Sequence, residues 1–104
     1  MSVRYIFNTS GDYVAFVQHE NLFTPDSEWL GFIKNGSEVY STEGEFMGYL
    51  LSDDRIVRNR TERKRLRSLR PLRPLRPLRP LRPLRRLRMP NLPYPYEDVF
   101  ADKE

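Results

Sequence analysis

Leucine stands at every third position from Leu66 to Leu87, and this regular spacing is the feature of the sequence that could support binding. Arginine follows each leucine, and proline fills the remaining slot from Pro71 to Pro83. A polyproline II helix has about three residues per turn, so this repeat forms a leucine edge, an arginine edge and a proline edge. The repeat therefore predicts a binding role for a stiff basic rod, whose apolar edge must pack against another surface of this chain or of a partner.

Catalytic and metal-binding alternatives have less support. His19, the single histidine, stands beside Glu20, and Asp53 and Asp54 are adjacent acids. Neither pair comes with a nucleophile or a glycine-rich phosphate loop, and one histidine without cysteine favours no transition-metal site. Such residues are typical of polar turns. The sequence therefore predicts a protein that is not an enzyme, with no catalytic residue, no cofactor and no metal ligand.

Charge divides the chain into three segments. Residues 1–57 hold three basic and nine acidic residues, a net charge of −6. Residues 58–89 hold fourteen basic residues and one acid, a net of +13, and residues 90–104 carry −3. An acidic domain thus bears a basic rod with an acidic tip, so the first partner to consider for the rod is this same protein. No signal peptide or membrane span is apparent, and a cytoplasmic location is expected.

The rod allows several interpretations. Its leucine edge could dock on the acidic domain, with arginines facing acids such as Glu43, Glu45, Asp53 and Asp54. It could bind nucleic acid or an anionic surface through its charge. The segment Pro71–Arg76 fits a Pro-x-x-Pro-x-Arg adaptor ligand, and a solvated spacer is the remaining alternative. Docking explains the unbroken leucine register, whereas binding to nucleic acid or an anionic surface does not. The leucine edge is about 65 Å long, which exceeds the diameter of a module of about 57 residues. It therefore reaches neighbouring subunits or stays partly free.

An internal repeat in the first 57 residues sets the expected fold. Leading aromatics at positions 7, 23 and 40 precede second aromatics at 13, 29 and 46. Each copy is typical of a strand, a turn and a strand, with turns over residues 8–12, 24–28 and 41–45 and short polar links between copies. A fourth copy begins at Val57 and fades into the basic segment.

The strands are apolar on both faces, whereas a solvated antiparallel sheet alternates apolar and polar residues. A module of this size cannot bury two faces alone. We therefore expect one face to form the core and the other to be covered by the rod or by a second molecule. That second face is predicted to carry Val14, Phe16, Leu30, Phe32, Met47 and Tyr49.

The hairpins resemble the bacterial four-fold β-flower proteins. The residues that carry the resemblance are Gly11–Phe16 (GDYVAF), Ser27–Phe32 (SEWLGF) and Gly44–Tyr49 (GEFMGY), followed by a tail with proline in triplets. The resemblance implies a flower of hairpins and no catalytic residue.

The prediction is an all-β module of short antiparallel hairpins with a pseudo-four-fold arrangement at residues 1–59. A polyproline II rod follows at 60–93 and an acidic aromatic tip at 94–104. The predicted function is a non-enzymatic interaction or assembly protein whose rod docks on its own or a neighbouring module. The alternatives are nucleic-acid or anionic-surface binding, and an adaptor protein as partner. The predicted interaction residues are Phe16, Trp29, Phe32, Tyr49, Leu69, Leu72, Leu75, Leu78, Leu81, Arg73, Arg76 and Arg79.

Overall fold

The structure, a computed structural model, describes residues 3–63 and 65–100 of the 104-residue chain. The last four residues of the predicted acidic tip lie outside the described residues. The described part forms one antiparallel sheet in which each strand pairs with the next along the chain. Its eight strands are β1 (Arg4–Phe7), β2 (Tyr13–Gln18), β3 (Asn21–Phe23), β4 (Trp29–Lys34), β5 (Glu38–Ser41), β6 (Phe46–Leu50), β7 (Ile56–Asn59) and β8 (Tyr96–Asp98).

The eight strands make four hairpins, which confirms the all-β prediction. The first three are those that the repeat predicts. In the fourth, β7 pairs with β8 through Val57↔Asp98 and the two following pairs. The basic segment is therefore the long connection inside the fourth hairpin. The segment predicted as a separate tip supplies the eighth strand of the sheet.

The turns of the first three hairpins, here called petal turns, share one geometry. In each, the first residue donates its N–H to the fifth carbonyl, and the fourth donates to the first, as in Asn8→Asp12 and Gly11→Asn8. The side chain of the first residue also accepts the fifth N–H, which is why asparagine, threonine or serine stands there. The fourth residue is in the left-handed region: φ is 94° at Gly11, 69° at Ser27 and 88° at Gly44.

A β-bulge in each of these hairpins corrects the predicted division of the two faces. The register shifts opposite Phe7, Phe23 and Tyr40, leaving Val14, Leu30 and Met47 as extra residues in β2, β4 and β6. An extra residue reverses the side to which the following side chains point. Val14, Leu30 and Met47 therefore pack on one side, while Phe16, Phe32 and Tyr49 lie on the other.

The side that holds the three extra residues packs on an aliphatic core contributed by seven strands: Ile6, Ala15, Leu22, Ile33, Val39, Leu50 and Ile56. Val99 and Phe100, just after β8, also pack against it. The other side carries the aromatic rings, with Phe16 and Phe23 stacked at 5.3 Å and Phe32 and Tyr40 at 5.5 Å.

The sheet curls so that its first strand meets the turn before β7. Phe7 donates its N–H to the Asp54 carbonyl at 2.9 Å, and the Arg4 guanidinium bonds Asp54 at 2.7 Å. The molecule measures 36 × 35 × 24 Å. The described residues contain no helix that could serve as a membrane span.

Candidate interaction surface

The tail, defined as residues 65–93, has neither helix nor strand and runs back across the three petal turns in reverse order. It meets the third turn at Gly44, the second at Asp26 and the first at Gly11. A straight rod of this length would extend beyond the module. The tail instead bends over the module, since about 65 Å of extended chain stays within 36 Å.

Backbone hydrogen bonds anchor the tail to the outer petal turns, and two of them involve the glycines of those turns. Ser68 donates its N–H to the Gly44 carbonyl at 2.8 Å, and Arg86 donates to the Gly11 carbonyl at 3.0 Å. Ser68 and Arg86 occupy the slot that proline fills from Pro71 to Pro83. Because proline has no N–H, the chain can make these bonds only where the proline repeat stops.

The backbone of the tail can approach these two turns closely because each has glycine at the contact. A Cβ on Gly44 would lie 2.3 Å from the Ser68 carbonyl oxygen, and one on Gly11 would lie 2.0 Å from that of Arg86. The second petal turn has Ser27 at this position, and the tail contacts this turn through arginine side chains. Arg76 donates to the Asp26 carbonyl at 2.8 Å, and Arg79 pairs with the Asp26 carboxylate at 3.0 Å.

Arginine side chains of the tail also cover the aromatic side of the sheet. A guanidinium above a ring is attracted by the negative face of its π system. Tyr5 fixes the tail between two such stacks by donating its hydroxyl to the Leu81 carbonyl at 2.8 Å. The distances from guanidinium carbon to ring centroid are 4.1 Å for Arg65 over Phe46, 5.7 Å for Arg82 over Tyr13 and 4.1 Å for Arg86 over Phe7.

Arg65 also belongs to a polar network at the start of the tail. Its guanidinium donates to the Tyr49 hydroxyl, which donates to the Glu62 carboxylate at 2.9 Å. Burial and then the bond to Glu62 raise the pKa of Tyr49 above its usual range. Burial and the bond to Glu38 likewise raise the pKa of Tyr40, while that bond lowers the pKa of Glu38. The network thus favours neutral tyrosines between charged partners.

Arg55 ties the end of the tail to the sheet. It is buried, pairs with Asp53 at 2.7 Å, and donates to the Thr9 hydroxyl and the Pro90 carbonyl. Met89, which also lies in the former proline slot, donates its N–H to the Thr9 carbonyl at 2.8 Å. A buried guanidinium needs such a full set of partners.

The leucine edge points away from all of these contacts. The eight side chains from Leu66 to Leu87 are 89–94% exposed. The expectation that they dock on the chain's own sheet is wrong. The tail docks through its arginines and through the slot residues at its ends, while Pro74, Pro77, Pro80 and Pro83 are half-buried.

The candidate catalytic residues find structural roles. His19 and Glu20 form a tight turn with φ of 52° and 63°. Asp53 pairs with Arg55, and Asp54 pairs with Arg4 and Arg86. No group of three or more potential metal ligands occurs in residues 3–63 and 65–100.

A cleft of about 820 Å³ lies between the first and second petal turns, beside Arg82 and Arg85. Two of the carboxylates in its lining are paired, Asp12 with Arg85 and Asp26 with Arg79, both at 3.0 Å.

Four successive hairpins gathered round one aliphatic core, with glycine or serine at the tip of three of them, identify the architecture. A family model described as 4-fold beta flower protein matches residues 4–97. The chain belongs to the 4-fold beta flower protein family. No curated protein and no solved structure gives a significant match.

The predicted interaction residues of this beta flower fall into three environments. Phe16 and Phe32 are buried, while Trp29 and Tyr49 are half-buried. The predicted leucines are exposed. Arg76 and Arg79 grip the second petal turn, and Arg73 lines a shallow cleft beside Trp29.

Sequence reasoning missed the anchors of the flower. The signal for Ser68 and Arg86 is the loss of proline from an otherwise regular slot, a change that restores an N–H. Of the acids expected opposite the arginines, Glu45 pairs with Arg67 and Asp54 pairs with Arg86.

Proposed function

We propose that this protein is a non-enzymatic interaction module in which the sheet holds the tail so that its leucine edge is displayed for binding. The observation that carries the proposal is the contrast within one segment. Leucines are 89–94% exposed, whereas of the arginines that follow them Arg79 pairs with the second petal turn and Arg82 stacks over Tyr13. A solvated spacer would show no such sorting by residue type.

A polyproline II conformation of the tail is part of this proposal. The exposure repeats every three residues, with half-buried prolines between leucines that face solvent. Such a helix has three residues per turn and no internal hydrogen bonds, so its side chains sort into edges while its backbone stays free to bond to the sheet. The anchors at Ser68 and Arg86, eighteen residues apart, would then sit about 56 Å apart along the chain.

The energetics favour a partner for the leucine edge. Burying a leucine is worth about 1.5–3 kcal/mol, so eight leucines offer about 12–24 kcal/mol if all were buried. Only part of this would appear as affinity, because association costs translational and rotational freedom. A single-file row of exposed leucines is still more than a monomer usually leaves unpartnered.

Binding of nucleic acid or an anionic surface has weaker support. That function needs arginines facing outward to meet phosphates. Here Arg67, Arg79, Arg85 and Arg86 pair with carboxylates of the sheet at 2.7–3.1 Å. The adaptor-ligand motif likewise uses Arg76, which bonds the second petal turn.

The proposal predicts separate effects for the two edges. The variant Leu72→Ser/Leu75→Ser/Leu78→Ser should lose binding of a hydrophobic dye and retention on a phenyl matrix. Its melting temperature should change by no more than about 6–12 °C, because three substitutions at exposed sites change stability by less than about 0.5 kcal/mol each.

The matched control is Arg73→Gln/Arg76→Gln/Arg79→Gln, which leaves the leucines in place. It should keep the dye response and lower the melting temperature slightly, since Asp26 loses both of its partners. The proposal is wrong if wild-type protein at concentrations where it is monomeric ignores both probes, or if the leucine variant unfolds.

A further inference from the structure

We infer that the occupant of the leucine edge is the same edge of a second copy, related by a two-fold axis and running antiparallel. This inference rests on the proposed function, because it names the partner of that edge. It is carried by three features of the molecule: the repeat spacing, the exposure of the leucines and the placement of the arginines.

The spacing is complementary to itself. Eight leucines at intervals of three residues meet an identical row without adjustment in any copy of this chain. A two-fold interface needs a surface of this kind, in which the same patch serves both partners. A lipid surface accepts apolar side chains at any spacing and does not account for the strict register.

The area is adequate for such an interface. A leucine removes about 60–120 Å² from water when buried, at the usual value of 25 cal/mol per Å². Eight leucines, each at least 89% exposed, therefore offer about 500–950 Å² per partner. A specific interface buries about 800 Å² on each side, so the row alone approaches the usual size.

The charges permit the approach of two edges. The tail carries most of the basic residues of the chain, and two outward-facing arginine edges would repel each other. In the structure Arg67, Arg79, Arg85 and Arg86 are drawn to acids of their own sheet, away from the leucines. The whole chain has a net charge of only +4.

Two-fold symmetry can produce the antiparallel arrangement. A two-fold axis that crosses the leucine edge at its midpoint, perpendicular to the tail, places the edge of one copy on the edge of the other. That operation reverses the direction of the chain.

The midpoint between Leu66 and Leu87 lies between Arg76 and Pro77. Leu75 of one copy then faces Leu78 of the other, and Leu66 faces Leu87. Every leucine then meets a leucine.

The test uses the full chain, which has no cysteine, so that introduced thiols are the only ones. Leu66→Cys and Leu87→Cys are prepared separately and then mixed under mild oxidation. The mixture should give disulfide-linked heterodimers at least tenfold faster than Leu66→Cys alone, because position 66 of one copy would face position 87 of the other. Sedimentation equilibrium of the wild type at micromolar to 100 µM concentrations should show a dimer that is retained in 0.5 M salt.

The outcomes separate the inference from the function on which it rests. If the wild type binds the hydrophobic dye or lipid vesicles but stays monomeric, the inferred dimer is wrong. The proposed display of the leucine edge then still holds. A dimer in which Leu66→Cys alone links as fast as the mixture overturns the antiparallel arrangement. A dimer that persists in the triple leucine-to-serine variant overturns the use of this edge.

Discussion

Single residues decide where the tail can touch the sheet. The slot that proline occupies faces the sheet, and a proline there packs but cannot donate a hydrogen bond. Ser68 and Arg86 restore the N–H at the two ends, opposite glycines that leave no Cβ in the way. The identical triplets between them cannot fix the register, so we infer that these end residues do.

Ser68→Pro extends the triplet repeat by one step and removes the donor to Gly44. The first part of the tail should loosen, at a cost of about 0.5–1.5 kcal/mol for the lost hydrogen bond. Hydrogen exchange of the Ser41 and Gly44 amides, which are hydrogen-bonded within the third petal turn beneath this part of the tail, measures this, and their protection should fall severalfold. Ser68→Ala is the control, since it keeps the N–H and loses only the hydroxyl that accepts from Lys34. Equal protection in the two variants would contradict the role of the backbone bond.

At the scale of the elements, the repeat predicts the first three hairpins correctly. The aromatic spacing and the polar first residue of each petal turn carry that information. The bulges are harder to find, because an extra residue inside an apolar strand changes no residue type. Val14 and Phe16 satisfy alternation equally well with or without one, and only the pairing of Phe7 with Tyr13 distinguishes the two registers.

The eighth strand could not be predicted from its own residues. Tyr96–Asp98 is short, follows two prolines and carries two acids, which is unlike a strand in propensity. Its position is set by distant partners: Glu97 pairs with Arg58, and the Asp98 carboxylate accepts the Thr9 N–H at 3.0 Å. Tertiary contacts here override the local preference.

A chain that ends at Pro93 tests the weight of this strand. It loses the pairing with β7 together with Val99 and Phe100, which pack on the aliphatic core. The free energy of unfolding should fall by about 2–4 kcal/mol, from two partly buried side chains and the unpaired edge. Urea denaturation gives the value. A chain that ends at Phe100 is the control and should match the full protein. A loss below about 0.5 kcal/mol would show that β8 adds little.

For the whole molecule, charge acts between segments. The acidic sheet and the basic tail neutralise each other at the petal turns, so the sheet competes with any outside anion for the arginines. The charges of the two segments suggest that the rod meets this same protein, and in the structure the tail contacts the sheet. The leucine edge does not dock on that sheet. Arginine instead pairs with the acids of the sheet and stacks on its aromatic rings.

This competition makes a last prediction about polyanions. The wild type should bind random-sequence RNA at low salt and release it near 150 mM, where charges are screened beyond about 8 Å. Asp12→Asn/Asp26→Asn/Glu45→Gln frees Arg85, Arg79 and Arg67 from their carboxylates. Its RNA affinity should rise, and the slope of log affinity against log salt should steepen by about two to three units. Glu28→Gln/Glu43→Gln is a control of similar charge change at the same turns. If the wild type binds RNA tightly at 150 mM salt, and the triple variant binds no better, the arginines already face outward in solution and the alternative of a nucleic-acid binder replaces the displayed leucine edge.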